Sequence, residues 1–124
     1  MHEPVLPHVL HAADAHEFFT GEQCYITEWS NSGADEQVSI ARARVEPGVC
    51  TRWHRLLDTV ERYCVLQGRG EVELADMPAQ TVVPGDVVII PPGCPQRIRN
   101  TGDGDLVFLA VCTPRFSTAA YEQL

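Results

Sequence analysis

From about residue 22 onward the chain is written in short apolar or alternating runs, each cut off by Gly, Pro, Asn or Asp. Alternation at period two puts one face of each strand into a core and the other into solvent, so the pattern reads as an antiparallel β-protein. Strands are predicted over 22–29, 36–46, 50–55, 60–67, 70–75, 79–83, 86–91, 95–100 and 105–112. Asn31-Ser32-Gly33, Pro47-Gly48, Gly68-Arg69-Gly70, Pro84-Gly85 and the run Asn100 to Gly104 supply the turns, because glycine accepts positive φ and proline fixes φ. No amphipathic helix precedes the end; Ser117 to Leu124 predicts one terminal helical turn capped by Ser117. Many strands joined this tightly predict an all-β, closed or sandwiched antiparallel barrel of the jelly-roll class.

At 124 residues the chain fits one domain, 1–124, with one core. The pattern divides it into a barrel over about 22–114, an N-terminal arm over 1–21 and a short C-terminal tail over 115–124. Seventeen acidic residues against nine basic ones give a net charge of −8. That argues against nucleic acid, whose binding rests on cations neutralising phosphates. Every basic residue is arginine, which excludes a catalytic lysine or a Schiff base. There is no basic start with a signal-peptide apolar run, and no stretch of the roughly 18 apolar residues a membrane helix needs. The chain therefore reads as cytoplasmic, with no membrane partner. Five cysteines, at 24, 50, 64, 94 and 112, form no C-x-x-C pair and read as reduced packing residues.

Two segments punctuated by glycine carry the chemistry. The first runs Gly48, five residues, His54, one residue, Leu56, four residues, Glu61, six residues, Gly68. The second runs Gly85, five residues, Pro91-Pro92-Gly93, two residues, Gln96, three residues, Asn100. Together they resemble the two motifs of the cupin superfamily, whose pattern has histidine at the positions of Leu56 and Gln96. The resemblance covers roughly residues 38–112 and implies the antiparallel double-stranded β-helix, or jelly-roll barrel, of that family. It also implies a divalent metal (iron, manganese, nickel or zinc) held inside the barrel by histidines and a glutamate. Here His54 and Glu61 are ordinary ligand types and Gln96 a weak amide ligand. The other reading of the same three residues is a metal-free polar pocket floor, with Glu61 accepting hydrogen bonds or acting as a general base.

Strand parity puts His54 and Leu56 on one face, brings Glu61 in from the next strand, and sets Tyr63 and Val65 on the same side as Glu61. Glutamate suits a strand poorly, so Glu61 is read as a ligand or general base, with a salt bridge to Arg52 or another arginine as the plainer alternative. Tyr63 is read as a proton donor beside it. Arg52 shares the parity of His54 and is read as reaching the pocket mouth toward a carboxylate or enolate, or else as a solvated strand-end charge. The catalytic set is then Glu61, Tyr63 and Arg52. Arg42 and Arg44 face either cavity or solvent, since Ala41, Ala43 and Val45 make the opposite face look like core. Tyr25, Glu28, Trp53 and Phe108 are further candidates for the pocket wall, packing being the commoner role of aromatics. Cys50, with the parity of His54, could replace a missing ligand, although an inert thiol is commoner. His2, His8, His11 and His16 match no ligand spacing and read as surface residues.

The function these features imply is that of a small-molecule cupin, a metal-dependent enzyme of dioxygenase, isomerase or lyase type acting on a small oxygenated or anionic compound. The alternative is a metal-free binding module without turnover, to which the apolar Leu56 is better suited. The resemblance to single-domain cupins implies a homodimer paired through edge strands and an N-terminal segment, and exposed sheet edges favour the same pairing.

Overall fold

The computed structural model describes residues 4–124, so His2 lies outside the described residues. The strands are β1 (Phe18–Phe19), β2 (Tyr25–Ser30), β3 (Ser39–Val45), β4 (His54–Leu56), β5 (Val60–Gln67), β6 (Gly70–Leu74), β7 (Gln80–Val82), β8 (Val87–Ile90), β9 (Gln96–Asn100), β10 (Leu106–Thr113) and β11 (Tyr121–Gln123). They pair antiparallel into a six-stranded sheet, β1-β2-β3-β10-β5-β8, and a five-stranded sheet, β11-β4-β9-β6-β7. Two antiparallel sheets facing one another make the predicted jelly-roll barrel. No helix among the described residues is long and apolar enough to cross a membrane.

The core follows from period two. Ala43 and Val45 on β3, Tyr63 and Val65 on β5, Val88 and Ile90 on β8, and Phe108 on β10 point inward from one sheet to meet Val72, Val82 and Ile98 of the other. Each such aliphatic side chain contributes roughly 1.5–3 kcal/mol relative to exposure. Because Ala43 and Val45 are inside, Arg42 and Arg44 are outside. There Arg44 lies over the Tyr25 ring and bonds Glu17 and Asp105, while Arg42 pairs with Glu17, tying the N-terminal arm to the outer face. Leu66, Val87 and Ile89 are the exposed apolar residues of β5 and β8. His8, His11 and His16 are exposed.

Three departures bear on the site, besides the strand expected from 36, which starts late at Ser39. The strand expected from 22 starts at Tyr25, because Gln23 takes a positive φ of 73° in a turn closed by Gln23 N–H donating to the Thr20 carbonyl. The strand expected over 50–55 is regular only from His54. Upstream, Thr51 Oγ1 accepts the Ile98 N–H at 2.9 Å, so a side chain replaces a rung of the ladder and parity slips. The buried positions are consequently Thr51, His54 and Leu56, and Arg52 is exposed.

The C-terminal tail is the third departure. Ser117 does cap a turn, Thr118–Ala120, through its hydroxyl oxygen and the Ala119 N–H. The chain then straightens into β11 and pairs with β4, whose outer edge would otherwise be bare. Tyr121, Glu122 and Gln123 oppose Leu56, Arg55 and His54, and Arg55 reaches Glu122 at 2.5 Å. The tail is thus an edge strand beside His54, not a helical appendage.

Asn100 and Gly68, which end the two motifs, serve the frame. The buried Asn100 amide donates to the Val45 and Gly104 carbonyls, both at 2.8 Å, and its oxygen accepts from Gly102 N–H. Gly68 has φ +86°, and a Cβ there would stand 2.5 Å from the Asp105 backbone oxygen. Gly68→Ala therefore meets both a left-handed backbone and a backbone wall, and should cost about 2–4 kcal/mol. Gly85→Ala, at φ +96° with nothing within 4 Å, should cost only about 1–2 kcal/mol. Urea unfolding of both variants checks this; equal losses would refute the close-approach argument.

Candidate functional site

The inward side chains of β4, β5, β9 and β11 meet the turn before β2 around one interior space. Its smaller compartment, about 40 Å³, is walled by Glu22, His54, Leu56, Glu61, Tyr63 and Tyr121, among others. A larger one, about 120 Å³, opens beside it between Phe18, Ile26, Glu28 and Phe116. Glu22 and Glu61 line both compartments and so sit where they join.

Glu61 and Tyr63 stand two apart on β5, and Gln96 crosses to them from the opposite sheet. The Tyr63 hydroxyl donates to Gln96 Oε1, and Gln96 Nε2 donates to Glu61 Oε1 at 2.8 Å. The Cys112 thiol donates weakly to Glu61 Oε2 at 3.7 Å. No arginine reaches Glu61, so the salt-bridge alternative is not what the structure contains. Burial raises the Glu61 pKa to about 7, against the lowering effect of the Gln96 hydrogen bond and His54; the nearby Glu22 charge raises it further. Burial likewise holds the Tyr63 phenol well above its ordinary value and pushes the Cys112 thiol up to about 12, so neither anion forms readily.

His54 stands between two acceptors. Its Nδ1 lies 2.8 Å from the Arg52 carbonyl, which can only accept, so Nδ1 carries a hydrogen. Its Nε2 lies 3.2 Å from Glu22 Oε2. A contact of that kind needs a proton between the two atoms, either on the imidazole or on the carboxyl. Burial raises the Glu22 pKa to about 7, which suits a shared proton. The Tyr121 ring stacks on His54, with centroids 5.3 Å apart and planes 22° from parallel.

Of the expected site residues, His54, Glu61, Tyr63 and Gln96 converge, and Leu56 lines the same compartment. Arg52 does not join them; it is exposed, and only its carbonyl serves the site. Glu28 lines the larger compartment, Phe108 packs on Tyr63 with centroids 4.4 Å apart, and Trp53 lies under Arg97. Tyr25 lines neither compartment, nor does Cys50. Glu22 and Tyr121 were missed. For Glu22 a signal existed in its alternation with Cys24 and Ile26, whereas Tyr121 was hidden by the helical reading of the tail.

His54, Glu61 and Gln96 do not fit a metal as they stand. Leu56 fills a fourth position with hydrocarbon, the Gln96 oxygen is committed to Tyr63, and both His54 nitrogens are engaged. No buried side-chain nitrogen or oxygen among the described residues is left without a hydrogen-bond partner to offer an ion. Among the described residues no group of three His, Cys, Asp or Glu side chains is placed to share one.

The family model for the cupin domain matches residues 41–112. The chain belongs to the cupin family. Among curated proteins, this cupin is 37% identical over 79 residues to an uncharacterised protein of Methanocaldococcus jannaschii, covering 64% of this chain and 62% of the relative. The match thus spans less than two thirds of that relative's length. Among solved structures, Pac13 of Streptomyces, a nucleoside dehydratase, matches with a TM-score of 0.80 and 15% identity, over 96% of this cupin and 92% of Pac13. Oxalate decarboxylase of Bacillus subtilis matches at 0.82 and 21%, over 99% of this cupin and 34% of that chain. KdgF of a Halomonas species matches at 0.79 and 14%, over 92% and 99%. At these identities the structural likeness is one of fold.

Two expectations follow from the site. Glu61 has a folded pKa of about 7 against an ordinary 4.5, so its protonated form favours the fold. That contribution is present below pH 4.5 and is lost as pH rises toward and through 7, at about 1.4 kcal/mol per pH unit inside the window. Glu61→Gln mimics the protonated form and should gain about 2–3 kcal/mol on wild type between pH 4.5 and 7.5 in urea unfolding. Parallel pH profiles would refute the burial account. Separately, Leu56→His with Gln96→His supplies two imidazoles to His54 and Glu61, and should bind nickel at least 100-fold more tightly than wild type in calorimetric titration. Unchanged affinity in a folded variant would show that the four positions do not converge on one point.

Proposed function

We propose that this cupin is a metal-independent acid–base enzyme, an isomerase or lyase acting on a small oxygenated compound held in the interior cavity. The observation that carries the reading is the Glu61 carboxyl: buried at the junction of the compartments, unpaired by any arginine, and raised to about 7. A base tuned near neutrality is what proton abstraction beside a carbonyl requires.

In this reading Glu61 takes a proton from the carbon next to the substrate carbonyl, and the C–H electron pair forms a carbon–carbon double bond. In a lyase that pair expels a hydroxyl from the adjacent carbon, and the proton held between His54 and Glu22 leaves with it as water. In an isomerase the same proton goes to the carbonyl oxygen as the enediol forms; Glu61 then gives its proton to the former carbonyl carbon while the original hydroxyl returns a proton to the His54–Glu22 pair and becomes the new carbonyl. Gln96 fixes the Glu61 carboxyl, and Tyr63, whose hydrogen is committed to Gln96, is a positioning residue and not the proton donor. Arg52, being exposed, has no part in the chemistry.

That Pac13, a protein of the same fold, is named a nucleoside dehydratase supports elimination as a reaction for a barrel of this kind. The test is proton exchange: small hydroxyketones and hydroxyaldehydes incubated with the protein in D2O should gain deuterium beside the carbonyl, read by NMR. Glu61→Gln should lower that rate 100- to 10,000-fold, and Tyr63→Phe should lower it less and move its pH optimum. Binding without exchange in wild type would replace the enzyme reading with that of a binding module. Exchange untouched by Glu61→Gln would remove Glu61 from the mechanism.

A further inference from the structure

The charge lining the cavity is one-sided. Glu22, Glu28 and Glu61 line the larger compartment, and no arginine lines either one. Six of the nine arginines are engaged elsewhere. Arg42 and Arg44 pair with Glu17 on the outer face, Arg55 with Glu122 and Arg97 with Glu73. Arg62 bonds Thr113, and Arg115 sits behind the Asn31 amide. The single basic group in the wall is His54, and its free nitrogen is taken by Glu22.

Phe18, Ile26 and Phe116 give the same space an apolar and aromatic side, and Thr20, Asn31 and Ser39 add neutral polar groups to it. Glu61 is buried in this wall without an arginine, whereas Glu28 is exposed at its rim; an uncompensated buried carboxylate is costly, and a ligand that supplies the counter-charge relieves that cost. A carboxylate or phosphate ligand would add to it. A neutral ligand would displace water from Glu28 and Glu61 and leave them uncompensated. A bare metal ion suits the space no better, since hard cations need a close shell of six or more oxygens, whereas about 120 Å³ with Phe18, Ile26 and Phe116 along one side leaves room for an organic group. Aromatic faces and carboxylates together are the surroundings that an organic ammonium group favours.

We infer that the larger compartment takes a small organic cation, a protonated amine carried on the same molecule as the oxygenated carbon presented to Glu61. This rests on the reading of the cavity as the reaction site. It reverses the expectation of an anionic substrate, which depended on Arg52 facing inward. The substrate class becomes small amino-ketones, amino-aldehydes or amino-sugars, with the ammonium toward Glu28 and the carbonyl toward the junction.

Three near-isosteric probes of about the right size separate the alternatives: benzylamine, benzyl alcohol and benzoate, titrated at pH 8 and low salt by calorimetry and by chemical-shift changes. Benzylamine should bind at least tenfold more tightly than benzyl alcohol, and benzoate should not bind. Glu28→Gln, at an exposed position that tolerates an amide, should remove most of the amine's advantage and leave the alcohol unchanged. Benzyl alcohol or benzoate binding as tightly as the amine would overturn the cation assignment while leaving the acid–base reading intact. Absence of deuterium exchange with the amine preference retained would overturn the acid–base reading and leave the cation assignment standing. If none of the three binds, the cation assignment fails, and the acid–base reading is decided by deuterium exchange alone.

Discussion

The arrangement of the interior depends on one side chain, the fully buried amide of Gln96. It comes from β9 in one sheet and spans to Glu61 and Tyr63 on β5 in the other, accepting from the phenol and donating to the carboxyl. A carboxamide is suited to this place because it is neutral and does both at once. Leucine there would leave a buried hydroxyl and a buried carboxyl without partners, each a penalty of about 1–3 kcal/mol. Glutamate would add a further charge beside Glu61. Hydrogen bonds through Gln96 thus bridge the two sheets at this point and fix the Glu61 carboxyl.

Where the ladder is regular, sequence alternation and structure agree. Glu61, Tyr63 and Val65 are buried as β5 requires, Gln96, Ile98 and Asn100 are buried on β9, and the jelly roll itself follows from strands this short with turns this tight. The failures lie where a side chain or a tertiary edge intervenes. The Thr51 hydroxyl replaces a backbone partner of Ile98, and nothing in the residues from Cys50 to Leu56 announces that substitution. Arg52 was expected inward for that reason alone. The tail was read by its local preference for a capped turn, whereas the open edge of β4 draws Tyr121 to Gln123 into pairing. Local propensity is a weak prior against a row of unsatisfied backbone groups.

The same two departures govern the chemistry. Because parity slips at Thr51, the Arg52 carbonyl and not its guanidinium faces His54, and the ring is fixed with hydrogen on Nδ1. Because the tail pairs with β4, Tyr121 covers the other face of that ring. His54 is thereby held with Nε2 toward Glu22 and with its ring orientation fixed from two sides.

Leu56 then has a physical role beyond being a lost ligand. It is almost fully buried and lines the same small compartment as Glu22, His54 and Glu61. A histidine in its place would bring a donor and hydration to the two carboxyls; the isobutyl group brings neither. Burial is the largest cause of the raised pKa of both Glu22 and Glu61, so the hydrocarbon beside them belongs to the tuning as much as the hydrogen bonds do. Leucine and glutamine at the two motif positions and the raised pKa of Glu22 and Glu61 are in this sense one feature. Removing the strong donors removes the preformed cage for a cation, and the drier space that results is what holds a carboxyl at a pKa where it can take up and release a proton.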